Sequence, residues 1–356
     1  MYRHFEVVMS FRYWTTTTVV LFPLALAANA QDIKDHDPLF GSHDTLEVEI
    51  EAPFAMLSKD RPDEEEAAGK FRFTAEDGSV VEFDIVVRTR GRYRRNKEVC
   101  KFPPLRLNFK KSQTKDTLFD KQDKLKLVTH CMSSKRYEQS VVSEYLAYRI
   151  LNLLTDTSFR VRLSRITYLY TDEDRDVTSY AILIEHKNRL GKRIDAKPAG
   201  IDQTRIEDIR PEDLNLTSVF QYFLGNTDFS PIAAAPDEDC CHNQALFTRD
   251  GELHFTIPYD FDQTGLVNAL HASPNARFSL RSVRNRLYRG RCVNNQHLDA
   301  TVQIFGEHRD DIEALVNEQP ELSAGTRQYI SRYIKKFYDI TGNPKQLERQ
   351  LVRKCI

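Results

Sequence analysis

The sequence has no excess of either charge and, beyond its first 30 residues, no long apolar segment. Its 356 residues contain 51 lysines and arginines against 52 aspartates and glutamates, a formal net charge of −1. This balance predicts no general attraction to nucleic acid or membranes, so an electrostatic partner must bind a local charge cluster. The missing apolar segment predicts a mature chain without a membrane span. Internal repeats and low-complexity tracts are also absent, which argues against a repeat architecture.

The N-terminus has the layout of a secretory signal peptide. Arg3 and Arg12 precede a short apolar run over residues 19–27, and residues 28–30 (Ala-Asn-Ala) form a small-x-small cleavage site. The run is too short to span a bilayer comfortably. We therefore expect residues 1–30 to be removed and the protein to be periplasmic or secreted. An uncleaved anchor or a core segment is the alternative.

The six cysteines all follow the predicted cleavage site. An even number of cysteines in an exported chain predicts disulfides. We expect the adjacent Cys240 and Cys241 to bond to different distant cysteines. A zinc site made of Cys240, Cys241 and His242 is the alternative, although this spacing fits no common zinc pattern. The remaining cysteines are Cys100, Cys131, Cys292 and Cys355.

The order of apolar patterns predicts an α+β protein with two lobes. Alternating residues predict strands up to residue 195, interrupted by one strong helix over residues 139–154. Beyond residue 196 the pattern is mostly helical, including a helix over residues 300–316. An Asp-Gly pair at 250–251 predicts a β-hairpin embedded in this part. We therefore expect a sheet-rich lobe over 31–195 and a helical lobe over 196–356.

Three polar residues flank this hairpin and its preceding helix. Asp228 follows the helix predicted over 214–224, Asn243 precedes the first hairpin strand, and Asp260 follows the second. Hard oxygen ligands held on a rigid ribbon suit Mg²⁺, and a nearby carboxylate can accept a proton from a hydroxyl. Each residue taken alone is better explained as a turn residue, but the three in this order around a hairpin favour a site.

A lysine and a glutamate lie further upstream. Lys126 is on a predicted strand, and Glu144 follows it on the helix over 139–154. Phosphoryl-transfer enzymes of the kinase class use a strand lysine to hold nucleotide phosphates and a helix glutamate to orient that lysine. Lys124 would lie on the same strand face and is the alternative. A solvated lysine and a surface glutamate are the plainer interpretation.

Several runs, taken in order, resemble the CotH-type and HipA-type atypical protein kinases over roughly residues 80 to 270. The resemblance implies a two-lobed protein-kinase-like fold, an exported bacterial phosphotransferase acting on a hydroxyl, and the cofactors ATP and Mg²⁺ or Mn²⁺. The runs are 87–92 (VRTRGR), 100–107 (CKFPPLRL), 124–127 (KLKL), 143–148 (SEYLAY), 225–228 (GNTD), Asn243 and 259–260 (YD).

The resemblance also implies a role for each site residue. Asp228 would be the catalytic carboxylate. The metal ligands would be Asn243 and Asp260, with Asp262 as a second ligand or a substitute for Asp260. Nucleotide-binding residues would be Lys126, Glu144, Glu185 at the adenine hinge, and Arg90 and Arg92.

The sequence departs from the kinase pattern in two places. Asp228 and Asn243 are 15 residues apart, whereas typical kinases have five, so Asp237 or Asp239 is an alternative carboxylate. A Gly-rich phosphate loop is missing. Arginine forks at 90–92 could replace it, or they could be a charged sheet edge.

These departures keep other functions open. AMP transfer, phosphorylation of a small molecule, or a non-catalytic envelope binding or assembly role are the alternatives to protein phosphorylation. An arginine-rich run over 281–292 could recognise an acidic or phosphorylated substrate, or be a solvated face.

Overall fold

The computed structural model describes residue 1 and residues 37–62, 64–235 and 239–356. The predicted signal peptide therefore lies outside the described residues. The described chain from Asp37 onward belongs to one compact unit. Within it, no helix combines the length and apolar character that a bilayer crossing requires.

Seven strands of the first half form a closed β-barrel. Around the barrel the order is β1-β2-β3-β4-β5-β7-β6. Neighbouring strands are antiparallel except β6 and β1, whose parallel pairing closes the barrel. The strands are β1 (Leu46–Ala52), β2 (Ala67–Thr74), β3 (Val80–Thr89), β4 (Leu105–Phe109), β5 (Lys124–Val128), β6 (Val161–Tyr170) and β7 (Asp176–Ile184).

The barrel interior is filled by side chains. Alternation along each strand directs every second residue inward, as in β1, where Leu46, Val48 and Ile50 are buried between exposed glutamates. Five phenylalanine rings, each at most 5 % exposed, pack at centroid distances of 4.8–6.4 Å. These rings are Phe71, Phe73, Phe83, Phe109 and Phe119. The barrel interior is therefore a core rather than a ligand chamber.

The chain outside the barrel contains a three-stranded sheet and the helices. The sheet has the order β10-β9-β8, with β8 (Lys197–Pro198), β9 (Gln244–Thr248) and β10 (Phe255–Pro258). One apolar core joins α3, α5, this sheet and the C-terminal helices. The helices are α1 (Phe54–Asp60), α2 (Lys111–Thr114), α3 (Lys135–Leu154), α4 (Lys187–Arg193), α5 (Pro211–Leu224), α6 (Leu298–Glu307), α7 (Arg309–Glu318), α8 (Ala324–Thr341) and α9 (Pro344–Gln350).

The predicted two-lobed, protein-kinase-like fold with a sheet-rich N-terminal lobe is wrong. The first seven strands close into a barrel, and a separate three-stranded sheet carries the predicted hairpin. The closing pair joins Leu46 to Ser164, 118 residues along the chain. Local alternation identifies strands but carries no information on which distant strand will cover an edge.

The helix predicted over 300–316 is two helices. His308 ends α6 and precedes α7, with backbone angles of −93° and 11° that leave the helical region. Apolar residues on both sides keep one period, so the sequence pattern gives no sign of the break.

Candidate functional site

A cavity of about 740 Å³ lies where the β3–β4 loop, β5 and α3 meet the loops that follow α5 and β10. Most of the site residues predicted from the sequence line it, although they come from five separate parts of the chain. The predicted residues in its lining are Arg90, Arg92, Lys126, Glu144, Asp228, Asn243, Asp260 and Asp262.

Lys126 is directed into the cavity by the alternation of β5. Leu125 and Leu127 are fully buried in the barrel, which turns the intervening lysine outward. Lys126 lines the cavity, with its Nζ 5.0 Å from the centroid of the Tyr259 ring. Lys124, the alternative, is exposed and does not line the cavity. Burial and the charge of Arg90 lower the pKa of Lys126 to about 7.

Glu144 lies on α3 and faces a different cation from the predicted one. Its Oε2 is 4.0 Å from Arg94 Nη1, and among the described ion pairs none joins it to Lys126. Arg94 Nε is also 3.8 Å from Asp262 Oδ2, and its Nη2 donates to the Thr129 carbonyl. Burial and then the charges of Asp262 and Asp260 raise the pKa of Glu144 well above its ordinary value. Arg94 therefore holds the α3 glutamate next to the β10 loop.

Asp228 is tied directly to the two residues that precede β9. His242 Nε2 lies 3.0 Å from Asp228 Oδ1. Asn243 Nδ2 donates to the Asp228 carbonyl at 2.7 Å and to Asp228 Oδ2 at 3.2 Å. These bonds close the 15-residue separation in the sequence, since the intervening loop returns His242 and Asn243 to the aspartate. The Asp228 carboxylate keeps 35 % of its side-chain surface exposed, so an incoming hydroxyl can reach it.

The loop after β10 presents two carboxylates with different partners. The Asp260 N–H donates to Tyr148 Oη at 2.9 Å, and burial followed by the Asp262 charge raises the pKa of Asp260 to about 6. His271 Nε2 lies 2.9 Å from Asp262 Oδ2. Burial alone would raise the pKa of Asp262, but this contact and the charge of Arg94 outweigh it and lower that pKa.

Two residues of the site have left-handed backbone conformations. Asn243 has φ of 53° and Asp260 has φ of 63°. Residues other than glycine seldom adopt such angles, and those that do cluster at functional sites. The ladder between β9 and β10 pairs Gln244 with Pro258, so both residues lie at the same end of the hairpin, as the sequence predicts.

The oxygen atoms suit a divalent cation of the Mg²⁺ type. Mg²⁺ is usually held by one or two carboxylates, with water and substrate phosphate oxygens completing the octahedron. Asp260, Asp262 and the side-chain oxygen of Asn243 are of this kind. Among the described residues, no three carboxylates have ligand atoms close enough together to hold a metal ion. The group of three residues that does meet this condition is Cys100, Cys131 and His271. Its two sulfurs are bonded to each other, so it offers no thiolate.

Two of the predicted residues have other partners. Glu185 does not line the cavity; its carboxylate accepts from Arg193 and from the Arg160 N–H, although the preceding Ile184 is in the lining. Asp239, an alternative catalytic carboxylate, lines the cavity but pairs with Lys187 at 2.9 Å. Asp237 lies outside the described residues.

Sequence reasoning missed Arg94, His271 and Tyr148 as residues that hold the predicted ones, and it named His242 only beside Asn243 and as an alternative zinc ligand. Arg94, His242, His271 and Tyr148 each contact a site carboxylate or its backbone. Tyr148 is four residues after Glu144, so the helical period could have placed it on the same face of α3. Arg94 has no such signal, because its partners lie 50 and 168 positions further along the chain.

The cysteines pair differently from the expectation. Cys240 and Cys241 bond to each other rather than to separate partners, and the other pairs are Cys100–Cys131 and Cys292–Cys355. The alternative zinc site at residues 240–242 therefore lacks thiolates. The adjacent-cysteine disulfide directly precedes His242 and Asn243, and thus lies in the loop that reaches Asp228.

Comparison with known proteins assigns this cavity to no family: no family model matches the chain, and no curated protein matches it.

Proposed function

We propose that the protein is an exported phosphotransferase that transfers a phosphoryl group from a nucleoside triphosphate, held with Mg²⁺ or Mn²⁺, to a hydroxyl group. The observation that carries this proposal is the convergence of cations, carboxylates and an amide from five chain segments on one cavity. The three disulfides fit an oxidising compartment.

Different residues of the cavity suit the different tasks of phosphoryl transfer. Arg90, Arg92 and Lys126 line the cavity and would bind phosphate oxygens. Asp260 and Asp262 would hold the divalent ion, which supplies neutralisation of phosphate charge when bound. Asp228, whose carboxylate is partly exposed, orients the acceptor hydroxyl and takes its proton. An apolar part of the lining, including Phe159, suits a planar base.

The relationship to CotH-type and HipA-type kinases is part of the same proposal and rests on the sequence runs alone. The barrel rules out carrying over the two-lobed architecture. The proposal therefore depends on the side chains of the cavity and not on the fold, since one chemistry recurs on unrelated folds.

Nucleotide binding and transfer are tested separately. The mature protein is titrated with ATP and Mn²⁺ in a thermal-shift assay, because a ligand that binds the folded state raises its apparent stability. Transfer is then followed with γ-labelled ATP and a generic protein acceptor. We expect Asp260→Asn to lose the metal-dependent shift and Asp228→Asn to keep the shift while losing transfer.

Asp174→Asn is the matched control, since Asp174 is exposed in the β6–β7 turn, remote from the cavity lining. Mass spectrometry of the product separates phosphate from AMP transfer. A thermal shift without any transfer in the wild type would favour the non-catalytic binding role. Equal shifts and equal transfer in Asp260→Asn and the wild type would refute the metal assignment.

A further inference from the structure

One continuous stretch next to the cavity carries positive charge alone. Residues 263–298 contain six arginines and not one aspartate, glutamate or lysine. The whole chain has a net charge of −1, so this stretch is much more positive than the rest of the sequence. The arginines are Arg277, Arg281, Arg284, Arg286, Arg289 and Arg291.

Two of these arginines stabilise the fold. Arg286 donates to the carbonyls of Tyr222, Phe223 and Tyr333, and its guanidinium lies 3.8 Å from the Tyr333 ring centroid. Arg289 holds the candidate catalytic loop, as described next. Neither guanidinium is available as a free charge on the surface.

Arg289 forms hydrogen bonds to the backbone on both sides of Asp228. Its Nη1 donates to the Thr227 carbonyl at 3.0 Å and to the Phe229 carbonyl at 2.7 Å. The guanidinium is stacked between the rings of Phe229 and Phe278, 4.5 and 4.7 Å from their centroids. The basic stretch is therefore built into the side of the cavity that presents Asp228.

The other four arginines have no carboxylate partner among the described residues. Among the described residues, no carboxylate lies within ion-pair distance of Arg277, Arg281, Arg284 or Arg291. Arg277 follows Ala276 in the cavity lining and precedes Phe278, which stacks on Arg289. Arg291 is two residues beyond Arg289. Both charges act on the Arg289 guanidinium, and therefore lie near the residue that holds the Asp228 loop.

The same stretch also lines a second depression. A groove of about 550 Å³ is bounded by residues 284–286, by Lys336 and Asp339 of α8, and by Asn343, Gln346 and Gln350 at and within α9. Arg284 is exposed at the rim of this groove. The groove therefore gives an acidic polypeptide a second cation to contact.

We propose that residues 273–291 form the acceptor-binding surface and that the acceptor is an acidic polypeptide, with aspartate, glutamate or phosphorylated residues near the modified hydroxyl. This inference rests on the proposed function for the meaning of "acceptor". The arginine fork binds carboxylate and phosphate bidentately, and Arg277 and Arg291 are the specificity residues.

The test measures peptide binding directly, without turnover. Two fluorescent peptides of equal length share a central serine, one flanked by glutamates and the other by lysines. Fluorescence anisotropy is recorded with the wild type and with the double charge reversal Arg277→Glu and Arg291→Glu. We expect the wild type to bind the acidic peptide at least about tenfold more tightly, and the double variant to lose about tenfold or more.

Arg165→Glu combined with Arg175→Glu is the control for net charge; it also removes ion pairs with Glu47 and Glu173, so its thermal unfolding is recorded beside its binding. It makes the same change in net charge on the barrel surface, and Arg175 lies beyond the end of β7 opposite to Ile184, roughly 30 Å from the cavity by strand rise. We expect this control to bind like the wild type. Arg277→Glu alone, an exposed position, covers the case in which the double variant does not fold.

The outcomes separate this inference from the proposed function. Equal binding of the two peptides, or unchanged binding in the arginine variants, overturns the acidic-acceptor surface even if ATP and Mn²⁺ bind. Preferential acidic-peptide binding that depends on Arg277 and Arg291 supports it, even if the nucleotide thermal shift is absent and the phosphotransfer proposal falls.

Discussion

Replacing Lys126 by methionine is expected to stabilise the protein while removing its affinity for nucleotide. The lysine lies on β5 with its amino group in the cavity, where burial and the charge of Arg90 lower its pKa from 10.5 to about 7. The unfolded chain keeps the ordinary value. Protonation thus favours unfolding, and the lysine destabilises the folded state at every pH below 10.5.

The size of the effect follows from this pKa difference. Without any screening, this pKa difference lowers the free energy of unfolding by about 4 kcal/mol at pH 7. Cavity water screens the amino group, because Lys126 keeps intermediate exposure, and the Tyr259 ring at 5.0 Å offsets part of the cost. We therefore expect Lys126→Met to raise the free energy of unfolding by about 2 kcal/mol at pH 7. This increase in the free energy of unfolding becomes smaller as the pH rises from 7, and it is absent above pH 10.5.

Urea unfolding at pH 6, 7 and 9 measures the gain, and a thermal-shift titration with ATP and Mn²⁺ measures binding. Lys124→Met is the matched control: it lies on the same strand, is exposed, and is outside the cavity lining. We expect it to change neither quantity. A loss of stability in Lys126→Met, or a gain that is equal at pH 6 and pH 9, would refute the reasoning.

Three further changes probe the surrounding structure. Arg94→Met leaves the buried Asp262 carboxylate without its cation at 3.8 Å, so urea unfolding should show a loss of about 3 kcal/mol; a loss below about 1 kcal/mol would contradict the pairing. Burial lowers the pKa of His130, 2 % exposed, to about 4. The unfolded chain binds this proton from pH 6.5 downward, so the free energy of unfolding should fall by about 3 kcal/mol between pH 6.5 and pH 4. His130→Phe should make the free energy of unfolding less dependent on pH over this range. Gly225→Ala adds a Cβ to a residue with φ of 69° and brings it against Tyr333 Oη. Thermal unfolding should show that the free energy of unfolding falls by more than about 2 kcal/mol. Adding Tyr333→Phe should restore the part of this loss that comes from the steric clash, but not the part that comes from the left-handed backbone.

Local sequence patterns predicted most of the strands and the longer helices, but not the break at His308 or the short helices α1, α2 and α4. Alternation placed Leu125 and Leu127 in a core and Lys126 on the opposite face. The Asp-Gly pair at 250–251 predicted the hairpin that carries Asn243 and Asp260 at one end. These inferences succeed because each depends on residues fewer than 20 positions apart, where backbone geometry fixes the relation between neighbours.

Relations over longer distances were not accessible from the sequence. The closure of the barrel depends on a parallel pair between β1 and β6, and the cation beside Glu144 is Arg94 from the β3–β4 loop rather than Lys126 from β5. Both lysine and arginine carry the same charge, so the pattern could not decide between them. The bond between Cys240 and Cys241 was missed for a different reason, since adjacency was taken to prevent pairing.

The cavity concentrates features that each lower the stability of the folded chain. Lys126 holds an amino group whose charged form is disfavoured, Glu144 has a buried oxygen without a hydrogen-bond partner, and Asn243 and Asp260 have left-handed backbone conformations. A hydrophobic lining would avoid all of these costs, as the phenylalanine-filled barrel interior does in the same molecule. Left-handed residues and buried polar atoms without a partner also occur elsewhere in the described chain. In this cavity they coincide with buried ionisable groups whose pKa values are shifted, which is the pattern expected of a candidate functional site. Cations and carboxylates both line this surface, which is the combination that the proposed nucleotide and its divalent ion require.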